Sequence, residues 1–111
     1  MDVTFRNVKL QKIFESDTRL IRKFGFRKGH KIIDHVAFLQ YATSLAEVPT
    51  KGMLRCHQLS GDRYEQSAVD LVHPFRLVFE VAHDPIPRDK FGGIDKERVT
   101  AIRIMEVIDY H

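Results

Sequence analysis

The sequence predicts an α+β fold in which two N-terminal helices pack on one face of a mostly antiparallel sheet of about four strands. Apolar residues recur at helical spacing through the first 45 positions, and beyond residue 52 they alternate with polar residues as in strands. The chain has 111 residues, which suits one compact domain with one core. We therefore predict a single domain over residues 1–111.

The N-terminal part begins with a short strand at residues 2–6 and continues into the helices. Asn7 suits the N-cap of a first helix and Gly25 its end, although Ser16 and the aspartate after it could start a separate helix within that stretch. Residues 28–45 again place apolar side chains three and four positions apart, which predicts the second helix.

The rest of the sequence is interpreted as strands and one loop. Alternation predicts strands at residues 53–59, 64–72, 75–82 and 99–108. In the first of these, Arg55 and His57 fall on the face opposite the apolar side chains, which include Cys56. In the third, Arg76 points away from the core for the same reason. Residues 83–98 combine several breaker residues with no periodicity, which predicts a long exposed loop.

Composition narrows the class of protein. Hydrophobic residues make up 43% and charged residues 30%, a balance typical of a chain that folds by itself. The single cysteine, Cys56, excludes an intramolecular disulfide and a cysteine-rich zinc site and fits a reducing cytoplasm. The longest apolar runs fall far below the roughly 18 residues of a membrane span, so we expect no transmembrane or secretory segment and a cytoplasmic location.

The positive charge is concentrated in the first third of the chain. Lys and Arg number 18 against 15 Asp and Glu, which gives a formal net charge of +3. A dense basic set comprises Arg19, Arg22, Lys23, Arg27, Lys28, His30 and Lys31. Such a set suits a polyanionic partner, and it is equally typical of a solvated helix face.

The polar face of the predicted sheet carries groups that suit a phosphate. Arg55, His57 and Arg76 would share an open surface that offers cations and an imidazole. Simpler interpretations stay open, since His57 could be a surface histidine without function and Arg76 could pair across strands with Glu80 or another neighbour. Residues 109–111 add an acid, a phenol and an imidazole, or they form a solvated chain end.

Two other kinds of chemistry are not favoured by the sequence. None of the usual metal-ligand spacings occurs among the six histidines, so we expect neither a metal nor another cofactor. His30 and His35 are interpreted as ordinary helix residues and His83 as a loop residue. Cys56 shares the core face of its strand, where thiols are usually inert, so we do not expect it to be a nucleophile.

Three separated motifs point to a family. R-C-H-Q-L-S-G-D at residues 55–62, F-R-L-V-F at residues 75–79 and V-I-D-Y-H at residues 107–111 follow an F-R start and two basic amphipathic helices. Together they resemble the HigB-like (plasmid-maintenance killer) toxins of the RelE/ParE superfamily over nearly the whole chain. The resemblance implies a small microbial-ribonuclease-like sheet with N-terminal helices, and cleavage of messenger RNA on the translating ribosome.

The resemblance also implies which residues act. Catalytic positions correspond to His57, Asp109, Tyr110 and His111, with Arg76 as the cation that faces the scissile phosphate. Metal-independent cleavage needs a base, an acid and a cation over the phosphate. We expect His57 and His111 to divide the acid and base roles, Asp109 to orient or tune an imidazole, and Tyr110 to hydrogen-bond or stack on a base. The expected RNA-binding residues are Arg55, Arg22, Lys23, Arg27, Lys28 and Lys31.

Two alternative functions remain within the same superfamily. Some members have a lysine where this chain has Ser60, and the lost charge leaves open a catalytically degenerate module that only binds its antitoxin. Other members are ParE-like inhibitors that act on DNA gyrase by binding. The D-Y-H ending argues against this second alternative, because a binding inhibitor has no need of an acid–base set.

A toxin of this kind implies partners. The resemblance implies a HigA-like antitoxin with a helix-turn-helix fold, encoded next to the toxin, and the complex of the two would repress their shared promoter. The basic helices over residues 19–31 would then face ribosomal RNA or be covered by the antitoxin. Promoter DNA is expected only through the antitoxin complex, and no membrane partner is expected.

Overall fold

The structure is a computed structural model that describes residues 1–109, and it confirms the α+β class. Within these residues the chain forms three α-helices, five strands and short 3-10 turns. In chain order the elements are β1 (Asp2–Phe5), α1 (Val8–Phe14), α2 (Asp17–Phe24), α3 (Phe26–Tyr41), β2 (His57–Gln58), β3 (Gln66–Asp70), β4 (Phe75–Val81) and β5 (Ala101–Asp109). The 3-10 turns are Leu45–Glu47, Gly61–Arg63 and Lys96–Arg98.

The prediction of two helices is wrong, because the first predicted helix is divided at Ser16. The Ser16 hydroxyl accepts a hydrogen bond from the backbone N–H of Arg19 at 3.2 Å, as an N-cap residue does, and this starts α2. Asn7 caps α1 in the same way, through the N–H of Leu10 at 2.8 Å. The third helix, α3, begins directly after Gly25, whose φ of 87° lies in the left-handed region that suits glycine.

The sheet has five strands in the order β1-β5-β4-β3-β2, instead of about four. It is mostly antiparallel, as predicted, but β1 runs parallel to β5 and starts from the pairing of Asp2 with Ala101. The predicted strand at 53–59 shrinks to His57–Gln58. Arg55 adopts a positive φ of 43°, which interrupts extended backbone just before that pair.

The core lies between the helices and one face of the sheet. Its largest fully buried side chains include Leu20, Ile32, Leu39, Leu77, Phe79, Ile102 and Ile104. The opposite face is not purely polar, because Ala68 and Val78 are also fully buried there and pack with Leu59. The polar residues of that face therefore border a small apolar centre. No helix in residues 1–109 combines the length and apolar character needed to cross a membrane.

The predicted exposed loop at residues 83–98 is anchored at several points. Arg88 contacts Glu65 through two nitrogens, one of them 2.9 Å from a carboxylate oxygen. His83 Nε2 accepts the backbone N–H of Ala101 at 3.2 Å, which fastens the start of the loop to β5. These contacts hold the loop against β5 and against Glu65, the residue that precedes β3.

Close contact between α2 and α3 makes Gly29 sensitive to substitution. A Cβ atom at Gly29 would lie 2.9 Å from the backbone Cα of Ile21. We expect Gly29→Ala to lower the free energy of unfolding by about 1–3 kcal/mol, because the helices would have to move apart. At an exposed helix position the same change raises stability by up to about 1 kcal/mol. Urea unfolding checks this, with exposed Ala37→Gly in the same helix measuring the propensity effect alone; a higher midpoint for Gly29→Ala would contradict the expectation.

Candidate active site

The sheet brings His57 and Arg76 together on the face that the helices do not cover. His57 on β2 pairs with Ala68 on β3, and Ala68 pairs in turn with Val78 on β4. Arg76 lies two positions before Val78, so its side chain shares that face. The guanidinium Nη1 of Arg76 is 3.4 Å from His57 Nε2.

Asp70 holds two arginines beside this histidine. Its carboxylate accepts hydrogen bonds from Arg55 Nε at 2.6 Å and Arg55 Nη2 at 3.0 Å, and Arg76 Nε lies 3.5 Å from Oδ1. The pairing with Asp70 raises the pKa of Arg55. We call Arg55, His57, Asp70 and Arg76 the sheet cluster. With two guanidinium groups and one carboxylate it keeps a positive charge when His57 is neutral, which favours an anionic ligand.

The partner of Arg76 among the described residues differs from Glu80, which the sequence suggested. Glu80 pairs instead with Arg103, at 3.1 Å between Nη1 and Oε1. Asp70 is directly opposite Arg76 in the β3–β4 register, so cross-strand geometry brings the two charges together. Asp70 is a member of the site that the sequence motifs do not indicate. Asp70 lies in a predicted strand at a position whose side chain points to the outer face, and this alternation could have indicated it.

The contacts of His57 define its tautomer. His57 Nδ1 lies 2.7 Å from the main-chain carbonyl oxygen of Arg55, and a carbonyl oxygen only accepts hydrogen bonds. Nδ1 therefore carries the proton, and Nε2 of the neutral ring presents a lone pair toward Arg76. A histidine that takes a proton through Nε2 needs this tautomer, and the main-chain contact fixes the ring in it.

Arg55 adopts an uncommon backbone conformation at this site. Its φ of 43° costs about 1–2 kcal/mol for a residue with a side chain. The neighbours on both sides, Leu54 and Cys56, are buried and hold the segment in place. From this turn Arg55 provides both the carbonyl that orients His57 and the guanidinium that binds Asp70. Backbone strain of this kind concentrates at functional sites.

The open surface beside the cluster is shallow. A recess of about 50 Å³ is lined by Arg55, Asp70, Leu71, His73, Pro74, Phe75 and Arg76. Sites for drug-sized ligands have roughly 300–1,000 Å³. A larger cavity of about 290 Å³ lies between β1 and the helices, away from the sheet cluster. The cluster therefore suits a group carried on an extended substrate rather than an enclosed small molecule.

Asp109 and Lys28 lie at the same end of the sheet as Arg76. Asp109 is opposite Phe75 in the β4–β5 register, so by alternation it belongs to the face of Phe75 rather than that of Arg76. Lys28 Nζ is 3.2 Å from the centre of the Phe75 ring, which brings the first turns of α3 to this end. The predicted site residues Tyr110 and His111 lie outside the described residues.

The predicted RNA-binding cations of the helices carry no carboxylate partners within residues 1–109. Arg22, Lys23 and Arg27 are exposed, and Lys28 and Lys31 are half-buried. Every ion pair within residues 1–109 involves an arginine at position 55 or later in the sequence. The helical surface therefore keeps its positive charge, whereas the sheet neutralises much of its own.

Three further candidates from the sequence are a reactive cysteine, a metal site and the histidines of α3 and the loop. Cys56 is buried, as predicted, and burial raises its pKa to about 11, so it remains a thiol at neutral pH. Within residues 1–109 no group of three or more histidine, cysteine or acidic side chains is placed to hold a metal ion. His30 and His35 lie in α3 and His83 in the loop, where the sequence placed them.

His35 makes stability depend on pH. It is 5% exposed, and its Nε2 has no hydrogen-bond partner among residues 1–109. Burial lowers its pKa, and a hydrogen bond with the Asp70 backbone opposes this. The unfolded chain then binds a proton more readily than the folded one. We expect stability to be full above the unfolded value of about 6.5 and to fall as pH drops from there toward the lowered folded value.

The measurement is urea unfolding of the wild type and His35→Leu at about pH 7.5 and about pH 5. We expect the loss of stability between these pH values to be smaller in His35→Leu, because the neutral side chain has no proton to bind. An equal loss in both proteins would show that other groups cause the acid sensitivity.

Comparison of the chain with models of known families, with curated proteins and with solved structures gave no match. The resemblance to the HigB-like toxins accordingly rests on the sequence motifs alone.

Proposed function

We propose that this protein is the toxin of a type II toxin–antitoxin system, a HigB-like member of the RelE/ParE superfamily that cleaves messenger RNA on the ribosome. The observation that carries the proposal is the contact of 3.4 Å between His57 Nε2 and the Arg76 guanidinium. The R-x-H and F-R motifs that suggested the family supply both of these residues. A mixed sheet with helices on one face is compatible with the microbial-ribonuclease-like fold that we propose.

The proposed reaction is transesterification within the RNA strand. His57 Nε2 takes the proton of a 2′-hydroxyl, and the 2′-oxygen attacks the adjacent phosphorus. A new P–O2′ bond forms and the P–O5′ bond breaks, which leaves a cyclic phosphate and a 5′-hydroxyl end. Arg76 stabilises the charge that builds up on the phosphate oxygens. Asp70 holds the guanidinium groups of both Arg55 and Arg76 beside His57.

The second half of the acid–base pair is proposed at the chain end. His111 protonates the leaving 5′-oxygen, and Tyr110 contacts a base. Asp109, which alternation places on the face of Phe75, tunes the imidazole of His111 rather than that of His57. The lone pair on His57 Nε2 favours the base role for His57, since a neutral imidazole accepts a proton there. His111 is then the acid. The tautomer of His57 and the family resemblance together support this division of roles.

The proposal extends to partners and location. Such a toxin acts in the cytoplasm, and a helix-turn-helix antitoxin of the HigA type binds it and, in complex with it, represses their promoter. The basic residues of α2 and α3 face ribosomal or messenger RNA when the antitoxin is absent. Arg55 contributes to phosphate binding next to His57.

The test is a pair of parallel assays with the purified chain. We expect messenger RNA to be cut in a translation extract, the cuts to require ribosomes, and supercoiling by DNA gyrase to proceed normally. Blocked supercoiling with intact messenger RNA would replace the proposal with a ParE-like inhibitor. Activity in neither assay would indicate a degenerate module that only binds its antitoxin.

A further inference from the structure

The first turn of α3 exposes an aromatic side chain that packs against no part of the core. Phe26 is 72% exposed. Its ring centre is 4.4 Å from that of His30, four residues along the helix, with the ring planes at 60°. One edge of the phenyl group is therefore supported by the imidazole, while much of the ring remains open to solvent. Contact of a ring of this size with water is unfavourable, so covering it with a flat apolar partner is favourable.

Three basic residues lie close to Phe26 in the sequence. Arg22 and Lys23 occupy the last turn of α2, and only Gly25 separates that helix from α3, so these residues lie at the same end of the helix pair as Phe26. Arg27 follows Phe26 directly and is exposed. Within residues 1–109 these three cations form no ion pair. The surface thus combines an open aromatic ring with positive charge that is not neutralised.

We propose that Phe26 is a stacking platform for an unpaired base of single-stranded RNA, with Arg22, Lys23 and Arg27 binding the flanking phosphates. Aromatic rings set among cations are the usual device for binding single-stranded nucleic acid, because every base has a flat face and every linkage a charge. The proposal deepens the proposed function, on which the choice of RNA as the ligand rests. It assigns Phe26 and His30 a role that the family resemblance does not give them.

Charge decides between RNA and a protein partner for this surface. The central parts of protein interfaces are depleted in charged residues overall, although arginine is enriched there, whereas nucleic-acid-binding surfaces collect lysine and arginine together. The same helix offers a contrast, because Tyr41 is 86% exposed in its last turn, where no basic residue occurs. Both ends of α3 therefore expose an aromatic ring, but only the first turn also carries basic residues. Lys28, which contacts Phe75, also places this end of α3 near the sheet cluster.

The experiment measures binding of the intact chain to a fluorescent RNA of about 12 nucleotides, by anisotropy. The RNA carries 2′-O-methyl groups, which remove the nucleophile, so that binding is measured without cleavage. We expect Phe26→Ala to weaken binding roughly 5- to 150-fold, the range for loss of one base stack. Phe26→Trp should retain or strengthen binding. Arg27→Gln should reduce the slope of log affinity against log salt by about 0.7.

Two controls separate stacking from general charge and from loss of fold. Tyr41→Ala removes an exposed aromatic ring from the same helix and should leave RNA binding unchanged. A 2′-O-methyl duplex of the same length has no unpaired base, so Phe26→Ala should leave its weaker binding unchanged. Since Phe26 is exposed, its replacement should also leave the thermal unfolding midpoint in place.

Equal binding of wild type and Phe26→Ala to the single strand would overturn the platform, and so would equal losses on single strand and duplex. The proposed nuclease function can fail independently. Binding that depends on Phe26, together with intact messenger RNA in the translation extract, would keep the platform and remove the nuclease. Cleavage in the extract, with Phe26→Ala binding RNA as tightly as the wild type, would keep the nuclease and remove the platform.

Discussion

Replacing His57 with alanine is expected to lower the rate of messenger RNA cleavage about 10²- to 10⁴-fold, the usual contribution of a general base or acid. The Arg55 carbonyl fixes the ring so that Nε2 presents its lone pair on the open face of the sheet. Alanine removes the proton acceptor without removing a core side chain, because His57 is not among the buried residues. The measurement is the initial rate of cleavage in a translation extract.

Gln58→Ala is the matched control for His57→Ala. Gln58 is the neighbour of His57 in β2 and is exposed, so its replacement tests whether any change in this short strand disturbs activity. We expect Gln58→Ala to cleave at the rate of the wild type. If His57→Ala also kept that rate while remaining folded, the assignment of His57 as the base would be wrong.

Arg76→Gln is expected to lower the cleavage rate about 10²- to 10³-fold, as loss of one group that stabilises transition-state charge does. Glutamine keeps a hydrogen-bond donor but lacks the positive charge, and Asp70 would still be held by Arg55. Arg76→Lys should fall between Arg76→Gln and the wild type. Lysine restores the charge but cannot form the planar fork of a guanidinium. Single-turnover cleavage at saturating protein separates this effect from weaker RNA binding.

The control for Arg76 is Arg103→Gln. Arg103 on β5 pairs with Glu80, which lies on the same face of β4 as Arg76 but further along the strand. Its loss removes one positive charge from the sheet without changing the sheet cluster, so we expect the single-turnover rate to stay near that of the wild type. Equal losses for Arg76→Gln and Arg103→Gln would indicate a general effect of charge, and would contradict the specific role of Arg76.

Much of the sheet could be predicted from the sequence because side-chain alternation has a simple physical basis. Successive side chains of a strand point to opposite faces, and this placed Arg76 outward and Leu77 in the core. Even where the predicted strand at 53–59 was largely wrong, the burial of Cys56 and the exposure of Arg55 followed the alternation. Alternation thus predicted which side chains are buried more reliably than it predicted a strand.

Other features depend on contacts that a local pattern does not contain. The parallel pairing of β1 with β5 joins segments that are far apart in the sequence, so neither segment alone indicates it. The left-handed backbone of Arg55 is held by buried neighbours, and arginine has no local preference for it. Asp70 acquires its importance from the strand register that places it opposite Arg76. Alternation could suggest that the cluster exists, but the tertiary contacts define its hydrogen bonds.

The most direct measurement is induced expression in a bacterial host of the wild type, His57→Ala and His111→Ala, with growth followed and messenger RNA 5′ ends mapped. We expect the wild type to arrest growth and to create new 5′ ends within translated reading frames, and we expect these ends to disappear in both variants. Growth arrest by the wild type with no new 5′ ends would contradict a nuclease at the sheet cluster.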